Sequence, residues 1–210
     1  DPGHVVYVWF DALLNYATAA GWRPGGESYK ALWPADVHLV GKEIYRFHAV
    51  IWPAMLMALG VEPPRSVYAH GWWTAEGQKM SKSKGNFVDP REFTREYGVD
   101  AFRYVLFREM PFGNDGDFSA EAFKKRYNAE LANDLGNLVS RATNMVDKYL
   151  DGAMPGKPDV AHGVVMKKAL AASEGIAEAM DRLAFQDALN RIWAIVGDMN
   201  VIINEKKPWE

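Results

Sequence analysis

The 210 residues contain no cysteine, so neither a disulfide framework nor a thiolate-held zinc can form within the chain. A reducing cytoplasm is the expected compartment. Long hydrophobic runs are missing as well. The longest nearly apolar stretch, Ala49 to Val61, carries Pro53 and Gly60 and is too short to cross a bilayer, so no membrane partner is expected. Excess positive charge is also lacking. Twenty-four Lys+Arg against 27 Asp+Glu give a net charge of −3, which excludes attachment to nucleic acid by bulk charge but leaves room for a local basic site. The phosphate-cradling strings G-x-x-x-x-G-K-[ST] and G-x-G-x-x-G do not occur. Asn114-Asp115-Gly116-Asp117 has acidic spacing, but its Gly and Glu positions do not fit a calcium loop. It reads as a turn, and no metal site is expected.

What is present is an ordinary globular balance, 49% hydrophobic and 24% charged, unusually rich in tryptophan with eight. The chain opens on Asp1-Pro2-Gly3 with no initiator Met and runs straight into strand-like residues, which reads as a piece cut from a longer protein. The first half alternates between two patterns. His4 to Trp9, Asp36 to Val40 and Ser66 to His70 read as strands; Asp11 to Ala20 and Lys42 to Leu59 read as helices, with Pro53 placed to kink the second. That alternation points to a parallel sheet with covering helices, an α/β unit. Trp72 to Met80 reads as a hairpin about Ala75-Glu76-Gly77, and Ser81 to Asn86 as a loop. Asp89-Pro90 opens a helix that Gly98 closes, and Asp100 to Met110 is another. From Ser119 the pattern is helical: one long helix to Leu150, a Gly/Pro connector from Asp151 to His162, then Val164 to Met180 and Leu183 to Asn204. Two regions are therefore expected, an α/β region over 1–117 and an all-α bundle over 118–210.

The sharpest local signal is Lys79-Met80-Ser81-Lys82-Ser83, followed by Lys84-Gly85-Asn86. Three lysines within six residues concentrate positive charge, and ammonium groups on flexible stems suit a polyphosphate whose geometry changes during reaction. Gly85 lets the loop bend. A generic Lys-Ser run is more often a solvated turn. This string, however, is the signature loop of class I aminoacyl-tRNA synthetases. Its surroundings resemble the methionyl-tRNA synthetases within that class. The residues carrying the resemblance are Val8 to Tyr16, Gly41 to His48 with Trp52-Pro53-Ala54-Met55, His70-Gly71, and Asn204 to Glu210. They cover essentially the whole chain.

The resemblance implies a fold, a reaction and a set of sites. The fold would be the second half of a Rossmann-type sheet with its signature loop, followed by an incomplete helical anticodon-binding domain. The reaction would be ATP-dependent formation of methionyl-adenylate and transfer of methionine to tRNA(Met), with magnesium accompanying ATP as substrate. Trp9, Ala12, Leu13, Tyr16, Ile44, His48 and Trp52 would line the methionine site. A thioether asks for aromatic contacts rather than charges, although by periodicity alone these are ordinary core residues. Gly41, Glu43, His70, Gly71, Lys79, Met80, Ser81, Lys82 and Ser83 would bind ATP, with Lys79 and Lys82 the catalytic charges. Many family members carry Asp where Glu43 stands, and a first-turn helix acid is the plain alternative for it. Asn137, Arg141 and Trp209 would meet the anticodon. Asn137 and Arg141 share a helix face, and Trp offers a stacking surface for an unpaired base.

The family's His-x-Gly-His segment is absent from this sequence, as is its zinc-bearing insertion, so zinc would belong to upstream sequence and the chain alone is expected to be inactive. Two other readings stand beside this one: a synthetase for isoleucine, leucine or valine, and a non-catalytic tRNA-binding module.

Overall fold

The computed structural model describes residues 2–5, 7–81, 85–153, 156 and 163–207. The chain is an α/β protein with small sheets and many helices, and its contacts divide it into two compact units, 1–72 and 73–210.

In the first unit, β1 (His38–Gly41) and β2 (Val67–His70) pair in parallel, His38 opposite Val67 and Gly41 opposite His70. Parallel pairing needs a crossover, and residues 42–58 supply it. That segment was expected to be one kinked helix. It is instead a 3₁₀ turn (Lys42–Ile44), a π turn (Phe47–Ile51) and then α3 (Trp52–Ala58). Pro53 sits in the first turn of α3. It has no N–H for the carbonyl four residues back, so a regular α-helix cannot run through it, and the wider π turn takes up the mismatch. Trp52 and Leu56 are fully buried, with Leu13 at 1% exposure, and Trp33, Met55 and Val61 complete the core. Fully burying one such apolar side chain contributes roughly 1.5–3 kcal/mol.

The expected first strand, His4 to Trp9, does not form. Val8–Ala12 is helical (α1), followed by a second short helix, α2 (Asn15–Ala19), so the expected helix from Asp11 to Ala20 starts early and is broken. A strand needs a ladder partner, and none faces the described residues of 4–9. Instead the Phe10 N–H closes a turn onto the Tyr7 carbonyl, and Trp9 stacks on Phe47 at 4.5 Å.

In the second unit, β3 (Trp73–Ala75) and β4 (Gln78–Lys79) form the expected hairpin. Its two loop residues, Glu76 and Gly77, both have positive φ, 51° and 73°, as a type I′ turn requires. The Asn114–Asp117 turn is a correction: Gly116–Phe118 is a strand, β5, parallel to β3. Short-range turn chemistry suggested a loop, but the Asp117 carboxylate accepts from the Thr74 hydroxyl at 2.6 Å and the Gly77 N–H at 2.8 Å, tying β5 to the hairpin. The contact boundary thus falls at Trp72/Trp73, upstream of the 117/118 boundary read from composition, because β5 pairs with β3 and Phe118 joins Phe102, Val105 and Phe123 in one core.

Helix α4 (Pro90–Tyr97) is capped by Asp89, whose side chain accepts from the Arg91 N–H; Gly98 at φ 88° turns the chain into α5 (Val99–Glu109). The long helix expected from Ser119 is continuous as α6 (Ala120–Arg126), a π segment (Tyr127–Gly136) and α7 (Asn137–Leu150). Ser119 caps its start. α8 (Val164–Asp181) and α9 (Phe185–Lys206) follow, joined at Leu183 with φ 59°. A half-buried polar knot ties α5 to this long helix and to α9. Glu130 accepts from Arg108 at 3.1 Å, from Arg126 at 2.9 Å and from the Tyr104 hydroxyl; Arg108 also donates to Asn190, and Tyr104 stacks on Trp193 at 4.6 Å. Among the described residues no helix is long and apolar enough to cross a membrane.

Candidate active site

The first unit gathers most of the expected methionine-site residues around one buried histidine. His48, in the π turn, is 1% exposed. Its Nδ1 lies 3.0 Å from the Ile44 carbonyl and its Nε2 lies 2.8 Å from the Tyr16 hydroxyl. A carbonyl only accepts, so Nδ1 carries a proton, and with the proton there Nε2 is the lone-pair nitrogen that takes the Tyr16 hydroxyl. Trp9 stands edge-on to His48 at 6.1 Å, Tyr16 edge-on at 5.5 Å, and Trp52 lies 6.1 Å from Tyr16. Leu13 is buried in the same core and Ile44 supplies the carbonyl. Ala12 is half-buried on α1, its carbonyl accepts from the Asn15 side chain, and it is not among the residues of that core or packed against it.

Residues that sequence reasoning missed complete this cluster. His38 is buried and accepts the Trp52 indole N–H at 3.2 Å. Indole only donates, so His38 Nε2 is unprotonated. Burial first, and then the nearness of His48, hold the His38 imidazole below the usual histidine range. Phe47 stacks on Trp9, and Trp33 packs edge-on to Trp52 at 6.0 Å. The available signal for His38 was the alternation of β1, which buries His38 and Val40 and exposes Leu39. The whole assembly is an aromatic wall with hydrogen-bonding atoms and no Asp, Glu, Lys or Arg side chain among the residues named. It can hold an apolar, polarizable chain and offer sulfur–aromatic contacts of about 0.3–1.5 kcal/mol each. The unit's open apolar groove, about 510 Å³ between Phe10, Leu14, Val50, Ala54 and Leu59, contains none of these residues.

The expected ATP residues of this unit sit where β1 and β2 end, the usual place for a ligand on a parallel sheet. Gly41 and His70 are register partners there. A side chain on Gly41 would meet the Glu43 carboxylate at 2.6 Å, so glycine is what lets that carboxylate fold over the strand end. Trp72, also missed, donates its indole N–H to Glu43 Oε2 at 2.9 Å, and the Lys42 ammonium lies 4.2 Å from the Trp72 ring centre. His70 Nδ1 donates to the Gly71 carbonyl at 2.9 Å, and Gly71 is buried.

The signature loop belongs to the second unit. Lys79 ends β4 and is exposed; Met80 packs onto the aromatic core there. Asn86 ties the loop ends together: its Oδ1 takes the Ser81 N–H at 2.8 Å and its amide donates to the Lys79 carbonyl at 3.1 Å. Lys82 and Ser83 lie outside the described residues, as does Trp209. Asn137 is exposed at the start of α7, and Arg141, one turn on, donates to the Asn204 side chain of α9 at 2.8 Å. Among the described residues no group of His, Asp and Glu is arranged to hold a metal ion.

A model of the family described as tRNA synthetases class I (M) matches residues 1–143. The chain belongs to that family. Over its full length it is 54% identical to a methionine–tRNA ligase of Caldanaerobacter subterraneus subsp. tengcongensis and 48% identical to that of Thermotoga maritima. It covers 33% and 34% of those two proteins, so it spans about a third of the relatives it matches. Among solved structures, Mycobacterium tuberculosis methionyl-tRNA synthetase in complex with methionyl-adenylate matches 99% of the chain and 42% of its own, with TM-score 0.88 and 47% identity. The apo form of the same enzyme matches with TM-score 0.84.

Proposed function

We propose that this chain serves the activation of methionine and its transfer to tRNA(Met), as part of a longer synthetase. Residues 1–117 would supply the second half of a Rossmann-type catalytic domain with its signature loop, and 118–210 a helical anticodon-binding domain. The observation carrying the reading is the Tyr16–His48–Ile44 hydrogen-bond chain inside an aromatic wall. It holds the His48 ring in place among aromatic rings, where a thioether needs polarizable surface rather than charge. The names of the relatives and the methionyl-adenylate bound in the M. tuberculosis enzyme support it.

In this scheme a methionine carboxylate oxygen attacks the α-phosphorus of ATP, taken as its magnesium complex. The bond to the bridging oxygen breaks and pyrophosphate leaves. A ribose hydroxyl of the terminal adenosine of tRNA then attacks the methionyl carbonyl, and AMP leaves. No protein nucleophile takes part. Lys79 and Lys82 stabilise the charge that grows on the phosphates, with Met80, Ser81 and Ser83 shaping the loop. Gly41, Glu43, His70 and Gly71 face the adenosine side. Asn137, Arg141 and Trp209 receive unpaired anticodon bases, where stacking on Trp is worth roughly 1–3 kcal/mol.

The test is ATP–pyrophosphate exchange in a full-length synthetase carrying this segment. Lys82→Ala is expected to slow exchange strongly and leave methionine affinity nearly unchanged. Equal loss of both removes Lys82 from the phosphate step, and exchange driven by isoleucine or leucine in place of methionine overturns the substrate assignment.

A further inference from the structure

We infer that His38 is a positioning residue for the aromatic wall: its Nε2 receives the Trp52 indole N–H and fixes that ring against Tyr16 and Trp33. The inference rests on the reading of this wall as the methionine side-chain site.

Three observations carry it. Trp52 is fully buried, so its single donor has no water to turn to and needs an acceptor inside the protein. His38 supplies one from a rigid place: it is the first residue of β1, its ladder position opposite Val67 is fixed, and its own N–H is held by the Ser66 carbonyl at 2.9 Å. The imidazole also touches the other rings, 4.5 Å from Tyr16, 5.7 Å from Trp33 and 6.1 Å from His48. Strand geometry is thereby transmitted through one hydrogen bond to Trp52, at the π-turn junction that presents His48. Because indole has no acceptor, the bond works in one direction only and requires an unprotonated Nε2. The depressed basicity of His38, from burial and from His48 nearby, keeps that atom available near neutrality. Tyr16 and His48 are the titratable groups that face His38.

Side-chain geometry separates this role from simple core packing. Glutamine places an acceptor oxygen where Nε2 stands; asparagine reaches only as far as Nδ1; leucine fills space and accepts nothing. In the 210-residue chain, the Trp52 indole resonance, assigned with Trp52→Phe, is expected far downfield and slow to exchange. His38→Gln keeps that signature. His38→Leu moves the resonance upfield and speeds its exchange at least tenfold. L-Methionine binding, measured by calorimetry, falls at least tenfold in His38→Leu and returns to within threefold of wild type in His38→Gln. Wild-type affinity in His38→Leu, or an unaltered indole signal there, overturns the proposal. So does failure of a folded His38→Gln to rescue. If His38→Leu does not fold, His38→Asn takes its place with the same expected losses. If the wild-type chain binds no methionine, the site assignment fails for this chain, and the indole signature alone decides the role of His38.

Discussion

Replacing Tyr16 with Phe removes one oxygen and leaves the ring. The consequence follows from the tautomer of His48. With Nδ1–H committed to the Ile44 carbonyl, Nε2 of the 1%-exposed His48 ring takes the Tyr16 hydroxyl, 2.8 Å away. In Tyr16→Phe that acceptor faces an apolar ring edge. A buried polar atom left unpaired costs about 1–3 kcal/mol, which is roughly a 5- to 150-fold change in the folding equilibrium. The ring contacts of Tyr16 to His38 and Trp52 survive, so no cavity adds to the cost. Urea unfolding of wild type and variant measures it: the midpoint should drop while the slope stays constant. Nitrogen NMR of His48 should show the Nδ1–H tautomer in both. A loss below about 0.3 kcal/mol falls short of the expected range and would mean that Nε2 finds another donor. The Nε2–H tautomer in wild type would reverse the direction of the Tyr16 bond and refute the neutral-acceptor argument.

The pH dependence of stability has a definite sign at His38. Its folded basicity is lowered, so its contribution is fully present above the unfolded value near 6.5 and is lost as pH falls below it, because the unfolded chain takes up a proton that the buried ring refuses. Urea midpoints taken from pH 8 to 5 should fall toward acid in wild type, and more gently in His38→Gln. Glu130→Ala removes the carboxylate that Arg108 and Arg126 share and leaves Arg126 its pair with Glu109 at 2.9 Å; loss of one member of a fully buried pair costs about 3–5 kcal/mol, a ceiling for these partly exposed groups, and thermal unfolding of the chain should show a shift beyond that of Lys168→Ala, whose surface pair with Asp198 is worth about 0–1 kcal/mol. Asn204→Ala removes one hydrogen bond that orients the Arg141 guanidinium; with one hydrogen bond worth about 0.5–1.5 kcal/mol, binding of a tRNA(Met) anticodon stem-loop should weaken about two- to tenfold by fluorescence anisotropy, while ATP–pyrophosphate exchange in a full-length synthetase carrying the segment stays unchanged.

Signals confined to a few neighbouring residues were legible in the sequence. The lysine loop stood out as a string, the hairpin about Ala75-Glu76-Gly77 was marked by a glycine between two strand-like runs, and Asp89-Pro90 and Ser119 marked helix starts because caps are local hydrogen bonds. The long amphipathic segments from Ser119 onward announced themselves by period. The places where reading along the chain failed are those where a distant partner decides. Val8 and Trp9 end a run of strand-forming residues, but among the described residues no strand pairs with them, and they start a helix that lays Trp9 on Phe47. Gly116–Phe118 has the residues of a turn but finds β3, forty residues earlier in the chain, and becomes a strand.

The site divides in the same way. Sequence could nominate Tyr16, His48 and Trp52, because they fall in blocks resembling a family, and it could fix the chemistry those residue types offer: apolar, polarizable, uncharged. It could not say which nitrogen of His48 bears a proton, that His38 stands beneath Trp52, or that Trp72 grips Glu43. Those are pairings between residues 4 to 32 positions apart whose distances come from strand register, a π turn and ring packing. Composition and spacing determine what groups a chain carries; only folding determines which lone pair meets which proton, and that is what sets the charge of a buried ring.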